Sequence, residues 1–349
     1  MFKVGAVRYE RNMKTIIFCI AKYTGVFALC RWLTRKQIRI LAYHGVWLGD
    51  DHYGNFLYIS PKKFAERMQK IKKMGLPVIG LNKALVDRDK GELPDCPVVI
   101  TIDDGWYGTY LHMLPELEKN GFPSTLYMTT YYSEKQAPVY NVLLQYIITI
   151  TPKNVIDVGT LRGSEEVFQL SNPEQKQKLF ARLESLVDSA DVEYRYDLID
   201  KVSELLEVDL SRIISEKWFH LASFDQVRDM AYRGIDVQLH THRHRISKGG
   251  DDCLEQELTD NRLRLEPLTG KPLVHFCYPS GIYEQSVWPS LKANDVVSAT
   301  TTEAGFVNKQ SHIYALPRIL DGENVSDLEF EAELSGFNEI KRQLSRFLN

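Results

Sequence analysis

The sequence predicts an α/β protein built on a parallel sheet. Short apolar, β-rich runs recur along the chain, helical patterns lie between most of them, and two of the runs end in clustered carboxylates or imidazoles. The runs are IRILAY (38–43), PVVITID (97–103), STLYMTT (124–130), IDVQLH (235–240), LVHFCY (273–278) and VVSATTT (296–302). Such alternation suits a sheet that is either open or closed into a barrel.

The first 36 residues stand apart. Lys3, Arg8, Arg11 and Lys14 precede TIIFCIAKYTGVFALCRWL (15–33), and Arg35, Lys36 and Arg39 follow it. Lys22 interrupts the apolar run, which leaves it short of the roughly 20 apolar residues of a spanning helix. Leu29 before Cys30 does not suit a lipoprotein signal, and no small-residue cleavage site follows. The segment reads as a helix lying in the bilayer interface, flanked by cations that favour anionic lipid. An uncleaved anchor with Lys22 snorkelling and a core-packing helix are the alternatives.

Next comes PKKFAERMQKIKKMG, opened by Ser60 and Pro61 and carrying Phe64, Met68, Ile71 and Met74 at helical spacing. Helices over 110–120, 225–233 and 253–268 end at or near Gly121, Gly234 and Gly270. The stretch of about 138–218 is helical in pattern without strong strand signals, so it reads as an insertion between two strand-helix units. The expected organisation is an N-terminal segment 1–36, a catalytic domain 37–330 and a C-terminal helix 331–349.

Composition narrows the function. Hydrophobic residues at 44% and charged residues at 26% are ordinary for a globular chain of 349 residues. A net charge of -3 lacks the basic surplus of phosphate-backbone binders, so nucleic acid is excluded as a partner. Five scattered cysteines form neither a CxxC pair nor a disulfide framework, which suits a reducing compartment.

VVITIDDGW ends a strand in Asp103 and Asp104, with Gly105 allowing a tight turn. Carboxylates at the C-terminal end of a parallel strand stand where such folds place catalytic groups. IDVQLH runs into His240, Thr241, His242, Arg243 and His244. Two imidazoles four residues apart, joined by a carboxylate from elsewhere, make a three-ligand site with an open position, and a metal there acidifies a water for hydrolysis. Either cluster alone is commonly a turn or a surface patch.

On these phrases the sequence resembles the polysaccharide deacetylases, the NodB-homology or carbohydrate esterase family 4 group. TIDDGW resembles the first family motif, and His240, Thr241 and His244 match H-[ST]-x-x-H. Family-like phrases run from ILAYHGV (40–46) through HLASFDQVRDMAYRGIDVQLHTHRH, HFCYPSGIY and VVSATTTEAGF to LPRI (316–319), about four fifths of the chain. The resemblance implies an irregular (β/α) barrel of about seven strands. It implies removal of an N-acetyl group from an amino sugar in a glycan or lipid-linked saccharide. It also implies one divalent metal, zinc first, with cobalt, nickel, manganese or iron as alternatives. Asp103 corresponds to the general base, and Asp104, His240 and His244 to the metal ligands. Thr241 is expected to orient the histidine loop, and His242 to point away.

Two departures stand out. FCYPSG (276–281) resembles the YPxG subgroup, with Cys277 where many members carry an arginine, and ALPRIL places Arg318 where a Leu-x-His acid is expected. Arg318 is therefore expected to hold Asp103, and His44, directly after the first strand, to protonate the departing amine or else to be a structural histidine. Tyr278, Pro279, Ser280 and Gly281 are expected to wall the groove and offer a backbone N–H to an oxyanion. Of the aromatics Trp106, Tyr107, Tyr278 and Tyr283, Trp106 and Tyr278 are the sugar-stacking candidates. A deformylase or O-deacetylase, and a non-catalytic glycan-binding scaffold, are the competing readings. Carbohydrate and a membrane surface, at its cytoplasmic face, are the expected partners.

Overall fold

The computed structural model describes residues 2–161, 166–187, 192–246, 251–282 and 284–348. It divides into two compact units, one of residues 1–47, 54–134 and 222–349, the other of 48–53 and 135–221. The first contains a closed barrel of seven parallel strands: β1 Arg39–Tyr43, β2 Val98–Asp104, β3 Ser124–Met128, β4 Asp236–Leu239, β5 His275–Cys277, β6 Ser298–Ala304 and β7 Leu316–Leu320. Around the barrel the order is β1-β7-β6-β5-β4-β3-β2, and β2 returns to β1 with Ile40 opposite Val99 and Tyr43 opposite Ile102. The sheet is thus closed; six of its strands lie at the six predicted runs, and the seventh, β7, falls on the family-like phrase LPRI.

Burial explains the composition of the strands. Every residue of β1, β2 and β3 is buried, because helices cover the outside while side chains fill the inside. The seam between β4 and β5 is thin, with Leu239 opposite Phe276, and β6 carries an irregularity between Thr300 and Ala304 opposite β7. A bulge there re-aims side chains of the adjoining strand ends, Arg318 among them.

The helices begin and end on their predicted signals. The Ser60 side chain caps Pro61–Lys73, and Ser223 and Gln226 form a reciprocal capping box on Phe224–Tyr232. Leu114–Asn120 is preceded by a wide turn, Thr109–Met113, and stops at Gly121 in the left-handed region.

Both chain ends differ from expectation. The single N-terminal helix is two, α1 Phe2–Tyr23 and α2 Val26–Leu33, bent by 78°. Gly25, at φ 82°, makes the break, a conformation that costs glycine nothing. Among the described residues no single helix is long and apolar enough to cross a membrane, although the bent pair passes by length and composition. One face of α1 packs as core: Phe18 and Ala21, with Phe27, meet Ala332 and Phe337. At the other end the expected helix 331–349 is broken into Asp327–Leu334 and Phe337–Leu348, with Gly336 at φ 82° between them. A Cβ on Gly336 would lie 2.3 Å from Thr34 Oγ1, so only glycine fits the close approach of α2.

The second unit is mainly helical, with helices Tyr140–Ile150, Pro173–Ser185, Val192–Leu205 and Ser211–Ser215 around a core that includes Leu143, Ile147, Leu183 and Val202. It also holds an antiparallel ribbon, Val155–Asp157 against Val167–Gln169, that the sequence reading did not anticipate. Strands of three residues are too short to show a period of two.

Candidate active site

At the end of β2 the backbone turns sharply: Asp104 has φ 71° and Gly105 φ 88°. A Cβ on Gly105 would come within 1.9 Å of Met128 Sδ, so the turn requires glycine. A left-handed aspartate is uncommon and is a form of strain kept where the surroundings dictate it. Its effect is to send adjacent carboxylates to different partners, Asp103 to an arginine and Asp104 to two imidazoles.

Asp104 Oδ1 lies 3.2 Å from His240 Nε2 and 3.3 Å from His244 Nε2. The three side chains present ligand atoms within 4.8 Å of one another. Four ligands placed tetrahedrally at zinc distances of about 2.0–2.1 Å are separated by about 3.3 Å, so the donor set fits a small divalent cation. The supports are in place as well. His240 Nδ1 donates to the Cys277 carbonyl at 2.8 Å, which turns Nε2 toward Asp104, and Asp104 Oδ2 accepts from Trp106 Nε1 at 2.8 Å. The His240 N–H is held by Asn261 Oδ1, and Asn261 in turn donates to the Met128 carbonyl. Thr241, at φ 63°, accepts the Arg245 N–H on its hydroxyl, the side-chain to backbone bond expected of it. His242 does point away: its Nδ1 lies 2.8 Å from Thr130 Oγ1.

Asp103 faces the barrel interior. Arg318 grips it with two parallel bonds, Nη1 to Oδ1 and Nη2 to Oδ2, both 2.7 Å. Arg318 is wholly buried and spends its remaining donors on the Thr301 carbonyl and Thr101 Oγ1. Cys277 joins the group: its Sγ is 3.2 Å from Arg318 Nη2 and 3.6 Å from Asp103 Oδ2. The guanidinium missing at position 277 is thus supplied from β7, two strands away. His44 Nε2 stands 3.5 Å from Asp103 Oδ2.

A cavity of ≈ 400 Å³ opens over these groups, bordered by His44, Asp103, Asp104, His240 and His244 and walled by Tyr278, Ser280 and Gly281. The wall loop turns through the left-handed region at Ser280 (φ 57°), where it is strained, and at Gly281 (φ 66°), where it is not, and Pro279 is buried behind it. Its expected oxyanion role meets a constraint, because the Tyr278 N–H donates to the Thr300 carbonyl and the Gly281 N–H to that of Tyr278. Trp106 needs correction: it is 5% exposed, with its indole N–H committed to Asp104, so its ring has no face to offer a sugar. Tyr278 is buried too, its hydroxyl donating to the Tyr314 carbonyl. The open aromatic ring at the cavity is Phe56, 62% exposed, which the sequence reading overlooked. Its one signal was an apolar pair, Phe56 and Leu57, in an otherwise polar loop. Tyr283 lies outside the described residues.

Charge follows geometry. Burial raises the Asp103 carboxyl, but Arg318 and then His44 and His240 outweigh it and leave its pKa below the usual carboxylate range. Asp104 is held well below that range, burial again opposed by His244 and His240. Burial lowers the His44 imidazole more than Asp103 and Asp104 raise it. For His240, burial lowers the pKa, but Cys277, Asp104 and Asp103 reverse this and hold it well above its ordinary value. With its pKa raised, metal-free His240 holds its proton more tightly than a free imidazole, and a cation must displace it. Apparent metal affinity is expected to fall about tenfold per pH unit below that raised pKa, with about one proton released on binding. Calorimetry at neutral pH in buffers of different ionisation enthalpy measures the release; a buffer-independent heat would contradict it.

Comparison with known proteins agrees with this fold. The family model described as polysaccharide deacetylase matches residues 210–299, which carry the histidine motif and β5. No curated protein matches the chain. Among solved structures, a Streptococcus pyogenes deacetylase, PplD, in complex with acetate is similar at 17% identity and TM-score 0.58, covering 86% of this chain and 99% of its own. IcaB from Ammonifex degensii is similar at 16% identity and TM-score 0.53, with 86% and 96% covered. A polysaccharide deacetylase from Bacillus cereus is similar at 18% identity and TM-score 0.51, with 86% and 69% covered. The matched segment carries the histidine motif, and the fold of the chain is that of these deacetylase structures.

Proposed function

From that fold and site geometry we propose that the protein is a metal-dependent hydrolase that removes N-acetyl groups from an amino-sugar glycan, with Asp103 as base and Asp104, His240 and His244 as metal ligands. The observation that carries the reading is the division of labour between adjacent carboxylates. Asp104 points at two imidazoles at metal-ligand separations, while Asp103, which also has donor atoms of His240 and Cys277 within 4.8 Å, has both oxygens engaged by Arg318. A binding module has no use for an ionised base beside a metal site. When bound, the cation, zinc by its donor set, supplies Lewis acidity to the amide carbonyl and acidifies a water.

The chain's own groups then move the proton. Arg318 keeps Asp103 ionised and oriented, so its carboxylate takes a proton from water as the water oxygen adds to the carbonyl carbon. His44, 3.5 Å from Asp103 and neutral at rest, relays that proton to the nitrogen as the C–N bond breaks. Acetate and a free amine leave. Phe56 offers the sugar a stacking face, and the 278–281 loop bounds the groove. The outward faces of α1 and α2 suit a membrane surface, and five free thiols favour the cytoplasmic side.

Product analysis tests the reading. Matched oligosaccharides bearing N-acetyl, N-formyl or O-acetyl groups are incubated with metal-loaded protein and analysed by mass spectrometry. The expected result is acetate with a free amino sugar; formate alone or ester cleavage alone supports the alternative activities, and no product from any substrate supports a non-catalytic glycan binder.

A further inference from the structure

A second cavity, ≈ 630 Å³, lies between α1 and the two C-terminal helices, Asp327–Leu334 and Phe337–Leu348. Its apolar lining comes from Ile17, Phe18 and Phe337, and its cations are Lys14, Lys341 and Arg346 beside the Glu333–Arg342 ion pair. Lys14 is 3.9 Å from Glu329, while Lys341 and Arg346 have no ion pair among the described residues. The cavity is therefore cationic at one part and apolar at another.

Its surroundings continue the apolar part. α1 has two apolar stripes: Phe18 and Ala21 face the protein, whereas Met13, Ile16, Ile17 and Ile20 lie on the exposed side, Ile16 and Ile20 each 58% exposed. A helix buried on one side against protein has no folding reason to keep a second stripe of isoleucines outside. α2 adds Leu29, Trp32 and Leu33, all at least half exposed, with the Arg35 guanidinium 4.7 Å over the Trp32 ring. Arg39, the first residue of β1, donates to the carbonyls of Leu334 and Thr34, so these helices meet the barrel at the end away from Asp103 and Asp104.

We propose that this cavity seats the phosphate headgroup of an anionic phospholipid on Lys14, Lys341 and Arg346, while the outer stripes of α1 and α2 enter the acyl layer of the same bilayer. The cations alone fit any phosphate. The apolar floor, and its continuity with exposed isoleucines and a tryptophan, favour one carried by a lipid. The proposal deepens the membrane reading above and is measured without turnover, so it stands or falls apart from the deacetylase assignment.

The test is co-sedimentation of the full chain with vesicles of phosphatidylcholine alone or mixed with phosphatidylglycerol. The wild type is expected to pellet with the mixed vesicles. Lys341→Gln with Arg346→Gln should weaken that binding roughly thirty-fold, at about 1 kcal/mol for each cation near an anionic surface. Ile16→Ser with Ile20→Ser should weaken binding to both vesicle types, and each variant should keep the wild-type melting profile. Equal binding by the glutamine variant overturns the headgroup site. Binding of free glycerol phosphate without vesicle binding makes it a soluble-phosphate site instead. A wild-type dimer in sedimentation velocity that Ile16→Ser with Ile20→Ser dissociates assigns the apolar stripe to a second copy and also overturns the proposal.

Discussion

Arg318→Met is expected to destabilise the barrel by about 3–5 kcal/mol, and Asp103→Leu by a similar amount, while the double variant costs well under their sum. The pair is buried at both ends, with side-chain exposures of 0% and 2%, and joined by two bonds of 2.7 Å. Removing either partner leaves the other charge buried and unpaired. Removing both leaves an apolar pair and a smaller penalty, chiefly the Thr301 carbonyl that loses its Arg318 donor. Equilibrium urea unfolding of the metal-depleted single and double variants measures the coupling. A coupling above about 2 kcal/mol supports the arrangement, and additive losses would show that the pair does not act as a unit.

The pair also shows how far sequence reading reached and where it stopped. Six of the seven strands were legible as runs rich in apolar and β-branched residues, whereas β7, broken by Pro317 and Arg318, and closure into a barrel followed only from the resemblance. Asp103, Asp104, His240 and His244 stand out as polar residues at strand ends, where burial makes them costly to keep without a use. Arg318 was legible as a departure from the family pattern, since an arginine in the middle of LPRIL would otherwise be an expensive core residue. Trp106 misled because a tryptophan beside carboxylates suits stacking on sugar as well as it suits donating to one of them; the choice depends on which way Gly105 turns the chain. Asn261 carried no local signal at all. It is a polar residue on a long helix, and its bond to the His240 N–H joins residues 21 apart. Phe56 was lost among loop residues because no periodicity marks a loop.

The ends of the chain teach a related lesson. Residues 15–33 are apolar on both sides of Lys22 and are broken in three dimensions at Gly25, whose left-handed conformation separates two helices. Gly336 divides the C-terminal segment in the same way, for a steric reason that lies in Thr34, some 300 positions earlier. Neither break is visible in a window of neighbouring residues.

The central claim is that Asp103, held by Arg318 and left out of the metal site, is the base of an amide hydrolysis. Acetate release from an N-acetylated oligosaccharide by wild type and by Asp103→Asn, each loaded with one metal per chain, tests it most directly. Asparagine matches the carboxylate in shape and still accepts one bond from Arg318, but it cannot take a proton from water. General-base removal is worth about 10²–10⁴ in rate, so kcat/KM is expected to fall by about 10³ with metal content unchanged. An Asp103→Asn protein that holds its metal and releases acetate at the wild-type rate would contradict the account.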